Sequence, residues 1–195
     1  VTGSGKTEVY LHLIDEVLRR GEQALVLVPE IGLTPQLLHR FQSRFNARIA
    51  VMHSGLNESD RLGAWRSARD GSASIIIGTR SAIFAPLPRP GLIVVDEEHD
   101  PSFKQHEGFR YSARDLALVR AQRLNIPVLL GSATPSLDTL ARAQKQPQWL
   151  SRLPERAGNA RAPKWTLIDL RKTGQAQGIA TPVLLTMRNN LQAGG

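Results

Sequence analysis

The stretch that decides the fold is Gly3-Ser4-Gly5-Lys6-Thr7, which stands at the start of the sequence. It matches the second half of the phosphate-binding pattern GxxxxGK[ST], in which glycines let backbone N–H groups surround phosphate oxygens. By that pattern Lys6 pairs with β- and γ-phosphates, the Thr7 hydroxyl binds Mg²⁺, and the following helix points its positive dipole end at the anion. The pattern's first glycine and the strand that feeds the loop would precede Val1, so we expect the sequence to be a piece of a longer protein.

A second motif follows the apolar run Leu92–Val95 and reads Asp96-Glu97-Glu98-His99. A buried strand that ends in Asp places a carboxylate at the carboxyl edge of the sheet, where α/β proteins bind their ligands. We expect Asp96 to hold Mg²⁺ through water and Glu97 to polarise the attacking water. The alternative is an exposed acidic turn after a core strand. His99 either links the nucleotide to a neighbouring motif or caps the loop.

A third motif, Gly131-Ser132-Ala133-Thr134-Pro135, follows the apolar run Val128–Leu130. The hydroxyls of Ser132 and Thr134 can hydrogen-bond the acidic loop and report whether the γ-phosphate is present. The alternative is a strand-to-helix turn with Ser and Thr caps. The order of the three motifs, each beside a strand, favours the first interpretation.

Short apolar runs alternate with amphipathic stretches along the first 140 residues. The runs lack polar alternation, which is typical of strands covered on both faces, and they are Ala24–Val28, Ile49–Met52, Ile75–Ile77, Leu92–Val95 and Val128–Leu130. The predicted helices are Glu8–Arg20, Pro35–Phe45, Ser59–Asp70 and Ala113–Leu124, with Ser59 and Ser112 as N-caps, Gly21 as a stop, and Val9, Leu13, Ile14 and Val17 on the first apolar face. This alternation predicts a parallel α/β sheet with right-handed crossovers. Trp165–Leu170 is predicted as a strand and Pro182–Leu191 as a short helix.

The composition excludes several classes of protein. The chain has no cysteine, which excludes a disulfide framework and a thiolate metal site within this span. Its longest apolar runs are four or five residues, far below the ~18 of a membrane helix, so we expect no membrane partner. The net charge is +8, but residues 142–195 carry 9 basic and 2 acidic side chains while residues 1–141 carry 16 and 15. This C-terminal excess fits either a nucleic-acid surface or a solvated tail.

Together, the three motifs resemble motifs I, II and III of superfamily 2 helicases. Four further segments are similar to the PriA-type replication-restart DNA helicases: residues 28–36 (VPEIGLTPQ), 53–57 (HSGLN), 78–84 (GTRSAIF) and 156–161 (RAGNAR). The resemblance implies an ATP-driven 3′-to-5′ DNA helicase that binds stalled, branched forks and initiates primosome assembly. It implies a RecA-like P-loop NTPase lobe over residues 1–148, a linker over 149–164 and the incomplete start of a second lobe over 165–195.

The resemblance also implies a set of DNA contacts. They are Pro29, Thr34 and Gln36 in motif Ia, Thr79 and Arg80 in motif Ib, and Phe103, Lys104, Phe109, Arg110 and Tyr111 in an aromatic-rich loop that couples DNA binding to hydrolysis. Hydroxyl, amide and guanidinium groups suit phosphate oxygens, and exposed aromatic rings stack on bases. The alternatives are that Thr34 caps a helix, that Arg80 forms a salt bridge, and that Phe103 and Tyr111 pack the loop onto the lobe.

Cofactors and partners follow from the same resemblance: ATP and Mg²⁺, single-stranded and forked DNA, other primosome proteins and the single-stranded DNA-binding protein, in the bacterial cytoplasm. The family's zinc-binding cysteines belong to a segment after Gly195, so zinc is not expected here. The second lobe supplies an arginine finger in this family, so we expect this chain alone to have little activity. The alternatives are another superfamily 2 translocase such as a RecG-like remodeller, and a non-catalytic nucleic-acid-binding lobe. A small-molecule P-loop kinase is disfavoured, because it needs neither the motif Ia stretch nor the aromatic loop.

Overall fold

Five parallel strands form the central sheet, as the apolar runs predict. The computed structural model describes residues 3–156, 165–176 and 178–192. The strands are β1 Gln23–Leu27, β2 Ile49–Met52, β3 Ile75–Gly78, β4 Pro90–Asp96 and β5 Val128–Gly131, in the spatial order β2-β3-β1-β4-β5. All five residues of β1 are buried, because this strand lies at the centre of the sheet and helices cover both faces. The parallel α/β prediction is therefore confirmed.

Five helices connect and flank the strands: α1 Lys6–Arg19, α2 Pro35–Arg44, α3 Glu58–Arg69, α4 Ala113–Leu124 and α5 Leu137–Lys145. Ser112 caps α4, as predicted, by accepting a hydrogen bond from the backbone N–H of Asp115. The predicted cap Ser59 is wrong: Asn57 caps α3 through the N–H of Asp60, so the helix begins earlier. Gly21 ends α1 in the left-handed region with φ 71°, the conformation that glycine adopts most easily.

The core lies on both faces of the sheet, and alternate residues of β1 divide between them. Leu25 and Leu27 join one cluster, which α4 covers, and Ala24 and Val26 join the other, which α1 and α2 cover. The buried stripe of α1 consists of Tyr10, Leu11, Ile14 and Val17. The prediction that Val9 and Leu13 lie on this face is wrong, because both are more than a third exposed. Apolar residues occur on several faces of α1, and the position of the helix on the sheet selects one of them.

Four short 3₁₀ helices shape the loops at the carboxyl edge and after α5: Glu30–Gly32, Arg80–Phe84, Pro101–Phe103 and Pro147–Trp149. The described residues up to 156 belong to one compact unit, and those from 165 onward belong to a second. In the second, β6 Gln175–Ala176 and β7 Ile179–Ala180 pair antiparallel and α6 spans Thr181–Gln192, which confirms the predicted C-terminal helix. The predicted strand at Trp165–Leu170 is wrong, since residues 165–169 have no regular structure and Asp169 begins a turn closed by Thr173. Residues 157–164 of the predicted linker lie outside the described residues.

Candidate nucleotide site and nucleic-acid interface

The phosphate loop lies immediately before α1 and has the backbone that an anion site needs. Gly3 and Gly5 adopt φ 76° and 86°, left-handed conformations that a side chain would strain. Gly5 is the N-cap of α1, and within the described residues no side chain caps this end, which leaves first-turn N–H groups for a ligand. The Ser4 hydroxyl is buried without a hydrogen-bond partner among the described residues. The loop therefore fits a phosphate group, which would supply the missing acceptors.

Lys6 and Glu97, predicted from motifs far apart in the sequence, meet at the carboxyl edge of the sheet. The Lys6 Nζ lies 3.0 Å from the Glu97 Oε1, with the side chains 17% and 37% exposed. Glu97 has φ 46°, which is uncommon for a residue with a Cβ and is a form of backbone strain that concentrates at functional sites. A phosphate bound to the loop would take Lys6 from Glu97 and leave that carboxylate free to face water.

Asp96 ends β4, and one of its oxygens is held by two donors. The Tyr10 hydroxyl donates to the Asp96 Oδ1 at 2.9 Å, and the backbone N–H of Glu97 donates to the same atom at 3.0 Å. Burial raises the pKa of Asp96, and the hydrogen bond from Tyr10 opposes that rise. The Thr7 hydroxyl, in the first turn of α1, and the Asp96 carboxylate are the oxygen donors that fit Mg²⁺, and the ion would neutralise phosphate charge there.

His99 brings the acidic motif and the third motif together. Its ring Nδ1 lies 2.7 Å from the Ser132 hydroxyl and its Nε2 lies 3.2 Å from the Thr134 hydroxyl. The same Nδ1 is 3.6 Å from the Glu97 Oε2. The three residues predicted to couple nucleotide to conformation therefore form one hydrogen-bonded group beside Glu97.

The residues predicted to contact DNA divide by burial. Pro29, Thr79 and Phe103 are buried, so little of their side-chain surface faces solvent, although Thr79 borders the cavity beneath the aromatic loop. Phe103 instead belongs to the core under the aromatic loop. Thr34 and Gln36 are exposed, and Thr34 also caps α2 by accepting the N–H of Leu37, as its alternative interpretation predicts.

Arg80 is tied to the aromatic loop rather than to an acidic partner. Its Nη1 donates to the carbonyl oxygens of Ser102 at 3.2 Å and Lys104 at 3.0 Å. Its first effect is therefore to position the loop.

The aromatic loop folds back on itself and displays rings at its tip. The backbone N–H of Gln105 donates to the carbonyl of Tyr111 at 2.8 Å. Tyr111 lies between Phe84 and Phe109, with ring centroids 5.0 Å and 6.0 Å away. Phe109 is 79% exposed, and Lys104 and Arg110 are exposed as well. Phe109, Tyr111 and Arg80 border a cavity of about 460 Å³ between this loop and the loops after β1, β2 and β3.

Residues 1–143 match the DEAD/DEAH box helicase family. The chain belongs to this family. The replication restart protein PriA of Haemophilus influenzae is 51% identical over 194 residues, which are 100% of this chain and 27% of that protein. PriA of Bacillus subtilis is 48% identical over 172 residues, covering 88% of this chain and 21% of that protein. The chain thus spans about a quarter of the length of these relatives.

A solved structure of RecG bound to a three-way DNA junction has a similar fold, with a TM-score of 0.51 and 26% sequence identity over 72% of this chain and 18% of that one. The DEAD/DEAH box lobe of this chain is accordingly a RecA-like P-loop NTPase lobe, as the sequence predicts. Within the described residues no helix is long and apolar enough to cross a membrane, and no group of three His, Cys, Asp or Glu side chains could hold a metal ion.

Glu98, the third acidic residue of the acidic motif Asp96–His99, has a role that the sequence does not reveal. Glu98 is 2% exposed, and its carboxylate accepts hydrogen bonds from the Ser136 N–H at 2.6 Å, the Ser136 hydroxyl at 3.1 Å and the Thr139 hydroxyl at 3.0 Å. The guanidinium of Arg114 lies 3.2 Å away. Glu98 therefore joins the acidic turn to the first turn of α5 and to the start of α4.

Helix α4 contacts both the acidic motif Asp96–His99 and the 3₁₀ helix Arg80–Phe84. Arg114, near its start, pairs with Glu98 in the acidic motif Asp96–His99. Arg120 donates to the carbonyl oxygens of Ile83 and Ala85, at the end of the 3₁₀ helix that carries Arg80. Burial lowers the pKa of Arg120. One rigid helix, preceded directly by the aromatic loop, is thus attached to the acidic motif and to the motif Ib segment.

Proposed function

We propose that this chain is the ATP-binding lobe of an ATP-driven 3′-to-5′ DNA helicase that acts in replication restart. The observation that carries the proposal is the 3.0 Å contact of Lys6 with Glu97 beside Asp96, which assembles the parts of an ATP site from the first two helicase motifs. Identity of 51% and 48% to two PriA proteins supports the restart role. Stalled or branched forks are the proposed substrate.

The proposed chemistry is transfer of the γ-phosphoryl group of ATP to water. The loop Gly3–Thr7 would hold the phosphates, Lys6 would neutralise the β- and γ-oxygens, and Thr7 and Asp96 would hold Mg²⁺. Glu97, once released by Lys6, would orient the attacking water in line with the bond that breaks. The group of His99, Ser132 and Thr134 lies against Glu97 and would sense whether the γ-phosphate is present.

The proposed DNA surface consists of the exposed predicted residues. Thr34 and Gln36 would contact phosphates from the loop after β1, and Lys104 and Arg110 from the aromatic loop. Phe109 would stack on an unpaired base, at about 1–3 kcal/mol per base. The RecG structure, which has a similar lobe, holds a three-way DNA junction, and this supports branched DNA as a ligand.

Two alternatives predict different behaviour. A RecG-like remodeller would share the three motifs, but identity to RecG is 26%, well below the 51% to PriA. A non-catalytic lobe would need none of Lys6, Asp96 and Glu97, and all three are present and brought together. The helicase proposal is therefore the better supported of the three.

The test uses the full-length protein that contains this chain. Lys6→Ala should lower fork-stimulated ATP hydrolysis by at least about 100-fold, the order seen when one charge-stabilising donor is lost. Lys145→Ala, an exposed lysine on α5, is the matched control and should leave the rate unchanged. Survival of fork-stimulated hydrolysis in Lys6→Ala would refute the motor function. Unwinding of forks with and without a nascent leading-strand end then separates restart from general remodelling.

The proposal also covers the domain bounds, the partners and the activity of the isolated chain. The proposed lobe comprises residues 1–148, followed by a linker at 149–164 and the start of a second lobe at 165–195. Primosome proteins and the single-stranded DNA-binding protein are the proposed partners, in the bacterial cytoplasm. An arginine finger from a second lobe contributes about 10³–10⁵ in rate in other NTPases, so the isolated 195-residue chain should hydrolyse ATP poorly. DNA-stimulated turnover by this chain at the full-length rate would contradict that expectation.

A further inference from the structure

Tyr10 is a buried tyrosine whose hydroxyl ends at the nucleotide site. It lies one turn into α1, is 3% exposed, and donates to the Asp96 Oδ1 at 2.9 Å. The backbone N–H of Glu97 donates to the same oxygen. With two donors on Oδ1, the carboxylate is fixed in rotation about its last bond, which is otherwise a broad torsion. The second oxygen, Oδ2, is then the one left for a ligand.

Gly131 makes this arrangement possible. It is the residue that pairs with Asp96 across β4 and β5, and a Cβ on it would overlap the Tyr10 hydroxyl oxygen. Its φ does not lie in the left-handed region, so backbone conformation does not require glycine here. The first residue of the third motif is therefore a glycine because the tyrosine hydroxyl occupies the space of its side chain.

We propose that Tyr10 is a positioning residue for the Mg²⁺ carboxylate. By holding Oδ1 it presents Oδ2 of Asp96 to the ion's water shell in one orientation, and Gly131 provides the room. The proposal rests on the proposed ATP site. The competing possibility is that Tyr10 only fills the core beside Ile14 and Val26, which belong to the same cluster. Removal of the hydroxyl separates the positioning role from the packing role, because the ring packs in the core and only the oxygen contacts Asp96.

The decisive variant is Tyr10→Phe in the full-length protein, with an N-methylanthraniloyl-labelled ATP as the probe. Removal of a group that orients a direct metal ligand typically costs 10–100-fold in metal affinity. Because Asp96 is expected to hold the ion through water, we expect the low end of that range, a rise of about 10-fold in the Mg²⁺ concentration that half-saturates probe binding. Probe affinity in EDTA should stay within about 2-fold of the native value, because Lys6 and the phosphate loop are untouched. Leu13→Ala, on the exposed face of α1, is the control and should leave both values unchanged.

A second variant tests the role of Gly131. Gly131→Ala should displace the hydroxyl and raise the Mg²⁺ midpoint in the native background. In the Tyr10→Phe background, Gly131→Ala should raise the Mg²⁺ midpoint much less, because the oxygen that the new Cβ would displace is gone.

The outcomes are distinguishable. An unchanged Mg²⁺ midpoint in Tyr10→Phe would overturn the positioning role. The same holds if probe affinity falls equally with Mg²⁺ and in EDTA while the melting temperature is lowered. If native protein and Lys6→Ala bind the probe equally weakly, the ATP site itself is wrong and the inference is overturned with it. A raised midpoint with normal binding in EDTA supports both.

Discussion

Glu98 offers the sharpest test of how the acidic motif is held in place. Glu98 is 2% exposed, and its carboxylate accepts from three donors of Ser136 and Thr139 at the start of α5 while pairing with Arg114, whose side chain is 14% exposed. Glu98→Ala leaves the Ser136 N–H without its acceptor, and it leaves the guanidinium of Arg114, which is 14% exposed, with only the exposed Asp115 as an acidic partner. Loss of one partner of a buried pair costs about 3–5 kcal/mol. For a chain of this size, that corresponds to a fall in melting temperature of roughly 6–20 °C.

The measurement is urea and thermal denaturation of the chain followed by circular dichroism. Glu98→Gln keeps the shape and one acceptor oxygen, so we expect an intermediate loss of about 1.5–3 kcal/mol. Glu107→Ala removes an exposed carboxylate of the aromatic loop and should change stability by less than about 0.5 kcal/mol.

A double-mutant cycle isolates the interaction of Glu98 with Arg114. Glu98→Ala combined with Arg114→Ala should cost less than the sum of the single changes by about 1 kcal/mol or more, because the guanidinium that loses Glu98 is gone. A loss below about 1 kcal/mol in Glu98→Ala, or strict additivity in the cycle, would refute the reasoning that this carboxylate is a buried junction.

Three further predictions concern single positions. Asn57→Ala should cost about 0.5–2 kcal/mol in unfolding free energy, while Ser59→Ala should be neutral; equal effects would contradict the cap assignment. Phe103→Ala should cost about 3–5 kcal/mol, whereas Phe109→Ala should leave stability unchanged and weaken binding of single-stranded DNA by the full-length protein by about 1–3 kcal/mol. Burial, and then the neighbouring carboxylates, raise the pKa of Tyr10. The folded chain thus holds this proton more tightly than the unfolded chain, so the stability that the hydroxyl contributes is present below about pH 10 and is lost above it. Between about pH 8 and about pH 10.5, urea denaturation should therefore show a larger fall in unfolding free energy in the native chain than in Tyr10→Phe.

The sheet could be predicted almost completely, because a strand buried on both faces leaves an apolar run that little else explains. The run Ile49–Met52 matches β2 in full, and β4 differs only in that Pro90, Gly91 and Asp96 extend it. Helix α5 was not predicted, since none of its residues is fully buried and its cap, Ser136, is fixed by Glu98 from another part of the chain. Local patterns carry no signal for such a contact.

The candidate site divides in the same way. The motifs predict that Lys6 and Glu97 belong to one site, because Lys6 follows a glycine-rich loop and Glu97 follows a buried strand. The parts played by Tyr10 and Glu98 depend on which loops the strand order brings to one edge, and a linear pattern does not contain that order. Conversely, the resemblance implies a DNA contact for Phe103, whereas the structure shows the alternative, that Phe103 packs the loop onto the lobe, because the 3₁₀ turn Pro101–Phe103 places it in the core.

The two arginine attachments of α4 set a constraint on how this lobe can change over evolutionary time. Arg114 and Arg120 must face Glu98 and the Ile83 carbonyl at once. Because each residue turns a helix by about 100° and advances it by about 1.5 Å, insertion or deletion of one residue between them would swing one guanidinium away from its partner. Length variation among related chains should therefore fall outside α4, as in the tip of the aromatic loop around Gly108, whereas the spacing of these two arginines should be invariant even where the residues between them are replaced.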